Sequence, residues 1–313
     1  MNEQKRILVI KLSALGDFIQ SIGPFAAIRN HHSEAKITLL TTHAFVALAK
    51  QSPYFDEIWI DPKCHIWNIS NFIKFSKKLR SVAFDMVYDL QTSNRSSSYF
   101  RIMKKPPWSG IARNCSHPHA NPIRNSIHNI ERQAEQLAMA NIPITPISDL
   151  SWVKADVKRF NLPPRYSLIV PGCSSRRSCK RWQSDRYGEI ANYFIKNGII
   201  PVVLGTKNDV DQIQAIINKC PSALSLLNQT SFSDIIVLAR NAIVAVGNDT
   251  GPMYLISTSG CRSIVLLSNK ISDNNFLCTP RGSAIVLKCN NLTDITVTTV
   301  ISVLKNELSV HYE

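Results

Sequence analysis

Three short stretches of this chain place carboxylates, hydroxyls, cations and glycines at spacings that could do chemistry. The first is Lys11-Leu12-Ser13-Ala14-Leu15-Gly16-Asp17, directly behind an apolar run from Arg6 to Ile10. Ser13 to Gly16 is a turn of small residues that lets the backbone come close to a ligand. Asp17 has two uses at such a place. It caps the helix that follows, or it stands at the edge of a cleft and takes a proton from an incoming hydroxyl. The second stretch is Pro171-Gly172-Cys173-Ser174-Ser175, followed by Arg176, Arg177, Lys180, Arg181 and Trp182. Hydroxyls beside an ammonium suit phosphate oxygens, with Ser174, Ser175 and Lys180 as the candidate contacts. A basic solvated loop is the competing reading. The third is Gly247-Asn248-Asp249-Thr250-Gly251-Pro252. Pro252 suits the first turn of a helix, because its φ is already helical and its missing N–H would be an orphan there. The remaining free N–H groups form an anion site. Here a plain N-cap at Asp249 or Thr250 competes with a phosphorylated or sugar ligand.

Each stretch sits between an apolar strand and a helix. From the N-terminus the pattern predicts a strand at 6–10, a helix at about 18–29 that Pro24 kinks or shifts, and strands at 36–41 and 57–60 flanking a helix at 43–51. A helix at 70–81 and a strand at 84–90 follow. Gln91-Thr92-Ser93-Asn94-Arg95 is then a polar loop at a strand's C-terminal end, the edge where open α/β sheets bind ligands. Residues 104–130 read as one long irregular, basic stretch. A loop of that length in a compact domain is functional or disordered, and its basic and aromatic content fits an anionic acceptor. After a helix at 131–140, prolines at 143, 146, 163 and 164 place a linker near 150–165. The second half repeats the alternation, with strands at 166–170, 200–204, 226–230, 243–246, 263–267 and 284–287 and helices between them and at 294–308. The expected architecture is α/β: two doubly wound Rossmann-like domains, 1–155 and 156–313, facing each other across a cleft. The last helix stays with its own domain or packs back on the first.

The 313 residues suffice for two such domains, and 44% hydrophobic content argues against disorder. No run of 18 apolar residues exists, and Ile7 to Ile10 is too short for a signal peptide. Eight scattered cysteines without C-x-x-C spacing read as free thiols. Cys115, His117 and His119 lie close together, but no second ligand pair with zinc spacing follows, so no metal is expected. The net charge of +14 points to anionic partners. Nucleic acid is not expected, since no RNP-like aromatic set or zinc-finger spacing appears. The segment 70–81 carries Lys74, Lys77, Lys78 and Arg80 beside Phe72, Ile73, Phe75 and Leu79. It reads as an ordinary surface helix, with a membrane-surface contact as the alternative. The missing G-x-G-x-x-G disfavours a nicotinamide oxidoreductase.

Taken together, Lys11-Leu-Ser-Ala-Leu-Gly-Asp-Phe-Ile-Gln-Ser-Ile-Gly-Pro, Pro171-Gly-Cys-Ser-Ser with Lys180-Arg-Trp, and Gly247-Asn-Asp-Thr-Gly-Pro-Met-Tyr-Leu resemble the lipopolysaccharide heptosyltransferase family, glycosyltransferase family 9. Their order and spacing span most of the chain. The resemblance implies the GT-B fold and transfer of heptose from ADP-heptose to the Kdo or heptose of the lipopolysaccharide inner core, with inversion and without a metal or cofactor. It matches Asp17 to the general base and Ser174, Ser175 and Lys180 to the phosphate contacts, with Lys180 counted among the catalytic groups. Asp249, Thr250, Gly251 and Met253 fall on the donor loop, and Ser13, Gly16 and Gln91 on the acceptor side.

An inverting transfer needs a base toward the acceptor and stabilisation of the leaving diphosphate. A lysine and a helix N-terminus supply the latter without a cation. The implied partners are a sugar nucleotide, a lipid A-Kdo or core oligosaccharide acceptor, and the cytoplasmic face of the inner membrane, where the protein would be peripheral. The family usually has His where this chain has Tyr254, and Ala where it has Ile256 and Ser257. That departure motivates a second reading, a non-catalytic or altered-specificity sugar-nucleotide-binding protein of the same fold in cell-envelope polysaccharide assembly.

Overall fold

Short apolar strands alternating with helices build two separate parallel sheets. The computed structural model describes residues 4–63, 69–173, 181–269 and 279–309. The chain divides into two compact units, residues 1–152 and 153–313.

In the first unit the described elements are β1 (Arg6–Ile10), α1 (Leu15–Ile19), α2 (Ile22–His31), β2 (Lys36–Thr41), α3 (Val46–Ala49), β3 (Glu57–Ile60), α4 (Ile69–Arg80), β4 (Met86–Asp89), α5 (Asn94–Ile102), β5 (Trp108–Gly110), β6 (His117–Pro118) and α6 (Asn129–Ala138). The sheet order is β3-β2-β1-β4-β5-β6, with every pair parallel. β1 is central, and Ile7 to Ile10 are fully buried, as expected for a strand covered on both faces.

Three sequence expectations change here. The helix expected over 18–29 is two helices, α1 and α2, broken at Gln20-Ser21. Pro24 is the third residue of α2, where an N–H has no intrahelical partner to lose, so it is accommodated without a kink. The helix expected over 43–51 is a 3₁₀ turn followed by the single turn of α3. The stretch 104–130 is not irregular throughout: β5 and β6 extend the sheet, and Trp108 is fully buried. Strands of three and two residues are too short to show an alternation.

The second unit contains β7 (Tyr166–Val170), α7 (Ser184–Lys196), β8 (Ile200–Gly205), α8 (Val210–Lys219), β9 (Leu224–Leu227), α9 (Phe232–Asn241), β10 (Ala245–Asn248), α10 (Gly251–Thr258), β11 (Ser263–Ser268), β12 (Ala284–Cys289) and α11 (Val297–Ser309). Its sheet order is β12-β11-β10-β7-β8-β9, again parallel. Val300 and Leu304 of α11 pack into this unit's own core with Trp182, Tyr187 and Phe194. In each sheet the chain leaves a central strand in one direction and returns on the other side, so the carboxyl ends of β1 and β4, and of β7 and β10, flank a topological switch point. Among the described residues no helix is long and apolar enough to cross a membrane.

Candidate active site

At the switch point of the first sheet, β1 runs into Lys11-Leu12-Ser13. Gln91, just past β4, accepts hydrogen bonds at Oε1 from the Leu12 and Ser13 N–H groups at 2.8 and 2.9 Å. The loop is held from below by Asp89, whose Oδ1 accepts from the Gln91 and Thr92 N–H groups at 3.1 and 3.0 Å. Asp89 is fully buried, and burial outweighs these donors and raises its pKa to about 6. Ser13 and Gln91, proposed separately from sequence, are thus joined. Gln91 uses its carbonyl as a structural clamp.

Asp17 lies in the first turn of α1, half-buried. Its Oδ2 accepts from the Ala14 N–H at 3.1 Å, which is the capping use anticipated from sequence. Its Oδ1 accepts from Asn129 Nδ2 at 3.4 Å. Asn129 also donates to Gln20 Oε1 at 2.8 Å, and its own Oδ1 accepts from Arg132 Nη2 at 2.7 Å. The arginine can only donate, so it fixes which way the amide points. Asn129 belongs to a buried amide stripe on α6. Gln133 accepts from Ser21 Oγ at 2.7 Å, and Gln136 donates to the Asp89 carbonyl at 3.0 Å. All three amides are at most 2% exposed. Capping and function therefore do not exclude each other at Asp17: both carboxylate oxygens are oriented while the group still reaches the surface. Sequence reading missed the stripe because amides at i, i+4 and i+7 look like a solvated face. Their spacing beside Leu137 was the available signal.

Cys115, His117 and His119 do not converge. Cys115 Sγ faces the Gly110 carbonyl at 3.8 Å, and His117 Nδ1 pairs with Ser116 Oγ at 2.9 Å. His119 Nδ1 accepts from Arg124 Nε at 3.3 Å, so its Nε2 carries the proton toward Glu135, 3.1 Å away. Burial depresses the His119 pKa and keeps the ring neutral. Among the described residues no group of three or more His, Cys, Asp or Glu side chains could hold a metal ion.

In the second unit β10 delivers Asn248 and Asp249 to the N-terminus of α10. Gly247 is required by close approach. A Cβ there would meet Met253 Sδ at 2.7 Å and the Val170 carbonyl at 2.9 Å. Met253 is fully buried, so its side chain supports the turn from beneath rather than lining its surface. Thr250 is the N-cap residue and Pro252 follows in the first turn, but the threonine makes no side-chain cap bond. Its Oγ1 is buried and has no hydrogen-bond partner among the described residues. A buried hydroxyl without a partner is uncommon and marks this helix start as incompletely satisfied within the chain.

Asp249 Oδ1 accepts from the Tyr254 hydroxyl at 3.2 Å. The departure at position 254 therefore keeps a polar contact with the loop. Asn248, which sequence reading passed over, is fully buried. Its Oδ1 accepts from the Trp182 N–H at 3.0 Å and the Tyr187 hydroxyl at 2.9 Å, and its Nδ2 donates to the Pro171 carbonyl at 2.7 Å. It thus ties the 249–251 turn to both ends of the segment 171–182. Arg181 Nη2 donates to the Cys173 carbonyl at 3.1 Å and lies 3.7 Å from Asp209. Ser174, Ser175 and Lys180 lie outside the described residues.

Residues 72–269 match the model of glycosyltransferase family 9 (heptosyltransferase). The lipopolysaccharide core heptosyltransferase OpsX of Haemophilus influenzae is 20% identical over 82% of this chain and 77% of its own. The glycosyl transferase family 9 structure from Veillonella parvula superposes with a TM-score of 0.84 at 19% identity, covering 98% of each chain. The Escherichia coli heptosyltransferase WaaC with ADP-2-deoxy-2-fluoro heptose gives 0.77 at 17% identity, covering 96% of this chain and 99% of that one. The likeness to these structures is one of fold, and the fold is GT-B. With the family model covering well over half of its length, the chain belongs to glycosyltransferase family 9, the heptosyltransferases.

Proposed function

We propose that the protein transfers heptose from ADP-heptose to the Kdo or heptose of the lipopolysaccharide inner core, with inversion and without a metal. The observation that carries this reading is Asp17. It is a surface-reaching carboxylate at the sheet's ligand edge, with both oxygens oriented by Ala14 and Asn129. In the reaction the acceptor O–H gives its proton to Asp17 as the oxygen attacks the anomeric carbon. The bond to the diphosphate breaks on the opposite face, and ADP leaves with the electron pair. The charge that develops on the diphosphate meets the Gly251 N–H and the positive end of the α10 dipole, with Lys180 and the hydroxyls of Ser174 and Ser175, matched by the family resemblance, as further contacts. The acceptor is a glycolipid, so the protein works as a peripheral protein at the cytoplasmic face of the inner membrane. Half-exposed Phe72 and Ile73 on α4, beside Lys74 and Lys77 and with no carboxylate on that helix, support such a contact.

A specific observation favours a second reading, a sugar-nucleotide-binding protein of altered or absent activity. The Tyr254 hydroxyl engages one oxygen of Asp249, the carboxylate that the family resemblance assigns to the sugar hydroxyls. A thermal-shift panel of ADP-, UDP-, GDP- and CMP-sugars, followed by an ADP-release assay with Kdo-lipid A, separates the two. Stabilisation by ADP-heptose with turnover supports transfer. Stabilisation without transfer to any core acceptor supports the second reading.

A further inference from the structure

The amino ends of β1, β2 and β3 form the edge of the first sheet opposite the one that carries Asp17. There the strands open with Arg6, Lys36 and Glu57. Side chains alternate along a strand, so these three share a face with Leu8, Leu40 and Trp59. α4 covers that face with Phe75 and Leu79 and ends at Arg80. Between its last turn and the strand starts lies a cavity of about 270 Å³ that none of the roles above uses. Arg6, Lys36, Glu57, Trp59, Lys78 and Ser81 are among its lining residues.

The lining carries three cations and one carboxylate. Glu57 is already occupied: its Oε1 accepts from Trp59 Nε1 at 2.7 Å, and its Oε2 lies 3.0 Å from Lys36 Nζ. The Trp59 N–H and then the Lys36 ammonium hold its pKa below the usual carboxylate range, so it stays ionised and tied to Lys36. Lys78 is held elsewhere, with Nζ over the Trp59 ring at 4.7 Å from the centroid. The Arg6 guanidinium has no hydrogen-bond or ion-pair partner among the described residues. Neighbouring Asp85 turns its Oδ2 to the Arg6 backbone N–H instead, at 2.7 Å. Three positive charges less one leaves an excess of two, carried by Arg6 and Lys78. Two cations on the walls of one cavity repel unless an anion lies between them. A guanidinium fork takes two oxygens of a phosphate and an ammonium takes a third. Ser81 Oγ gives its proton to the Lys78 carbonyl at 2.8 Å, which leaves lone pairs for a hydroxyl on the phosphate's substituent.

We propose that this cavity binds the phosphate of an anionic glycerophospholipid headgroup. The helix beside it points to a lipid as the source. Lys74 and Lys78 are one helical turn apart, as are half-exposed Ile73 and Lys77. α4 bears no carboxylate, so its outer face is basic and partly apolar along its length and ends in the cavity. The lipid as source rests on the peripheral-membrane reading given above; the affinity of the cavity for a glycerol phosphate does not.

The test has two arms, both on the full chain. Glycerol 3-phosphate is titrated by calorimetry, and binding to vesicles of phosphatidylcholine, alone or mixed with phosphatidylglycerol, is measured by co-sedimentation. Wild type is compared with Arg6→Gln/Lys78→Gln and with Lys74→Gln/Lys77→Gln, which removes the same charge outside the cavity. All four side chains are exposed, so both variants should melt with wild type. The cavity variant is expected to lose at least tenfold in affinity for glycerol 3-phosphate and for the mixed vesicles. The helix-face variant should keep its glycerol 3-phosphate affinity and lose less on vesicles. Equal glycerol 3-phosphate affinity in wild type and the cavity variant, or no binding in wild type, overturns the proposal. Equal vesicle losses in the two variants overturn the headgroup assignment, because diffuse attraction then accounts for them. Glycerol 3-phosphate binding that the cavity variant loses, with no vesicle binding by wild type, counts against the peripheral-membrane reading and identifies a soluble phosphate as the ligand.

Discussion

Asn248 is the residue whose removal the structure prices most clearly. It is fully buried and satisfies three buried groups at once: the Trp182 N–H, the Tyr187 hydroxyl and the Pro171 carbonyl, at 3.0, 2.9 and 2.7 Å. Asn248→Ala leaves all three without a partner. At about 1–3 kcal/mol for each orphaned buried group, and allowing for partial relaxation, the loss should be about 4 kcal/mol. For a domain of this size that corresponds to a drop in melting temperature of roughly 10 °C. Differential scanning calorimetry of the second unit's transition measures it. Asn248→Leu separates hydrogen bonding from cavity formation, because leucine refills the volume but pairs none of the three groups. The expected result is a loss at least as large as for alanine. ADP affinity should fall in both variants, since the turn and the segment 171–182 lose their common tie. A leucine variant melting within 2 °C of wild type would refute the reasoning, because it would show that the three hydrogen bonds are dispensable.

Two further outcomes follow from the first unit. Asn129→Ala frees Asp17 Oδ1 and orphans Gln20 Oε1, so kcat should fall by about tenfold to a hundredfold through misplacement of the carboxylate, with donor KM unchanged. Steady-state kinetics with varied ADP-heptose checks the split, and an unchanged kcat would count against a positioning role. Asp89 titrates at about 6 when folded against about 3.9 when unfolded. The raised folded value means that its stabilising contribution is complete below pH 4 and is lost as pH climbs through 6. The shift is worth about 3 kcal/mol, so Asp89→Asn, which cannot ionise, should gain that much on wild type between pH 4 and pH 7 in denaturant titrations. A constant difference across that range would show that Asp89 is not held protonated.

The elements most legible in the sequence were those whose apolar runs end sharply. β1, β3 and β7 fall where their patterns place them. Legibility failed where length or context removed the signal. β5 and β6 are too short to alternate and are recruited by the neighbouring β4 edge. The break at Gln20-Ser21 is invisible because both residues are buried polar members of a network, not turn formers. Site residues divided in the same way. Asp17, Gln91, Thr250 and Gly251 stand at strand–helix junctions, where position alone suggests chemistry. Asn129 and Asn248 act by satisfying other residues' hydrogen bonds, and their partners are supplied by segments 61 to 112 residues away in sequence. No local pattern carries that information.

In the proposed reaction Asp17 receives the acceptor proton. The measurement that tests it most directly is the rate of ADP release from ADP-heptose in the presence of Kdo-lipid A, compared between wild type and Asp17→Asn. Asparagine keeps the shape of the carboxylate and one acceptor for the Ala14 N–H, but it cannot take a proton. A proton-accepting Asp17 makes the variant's kcat lower by about 10²–10⁴-fold, with melting temperature and ADP affinity unchanged. Turnover equal to wild type would contradict it and remove Asp17 from the reaction.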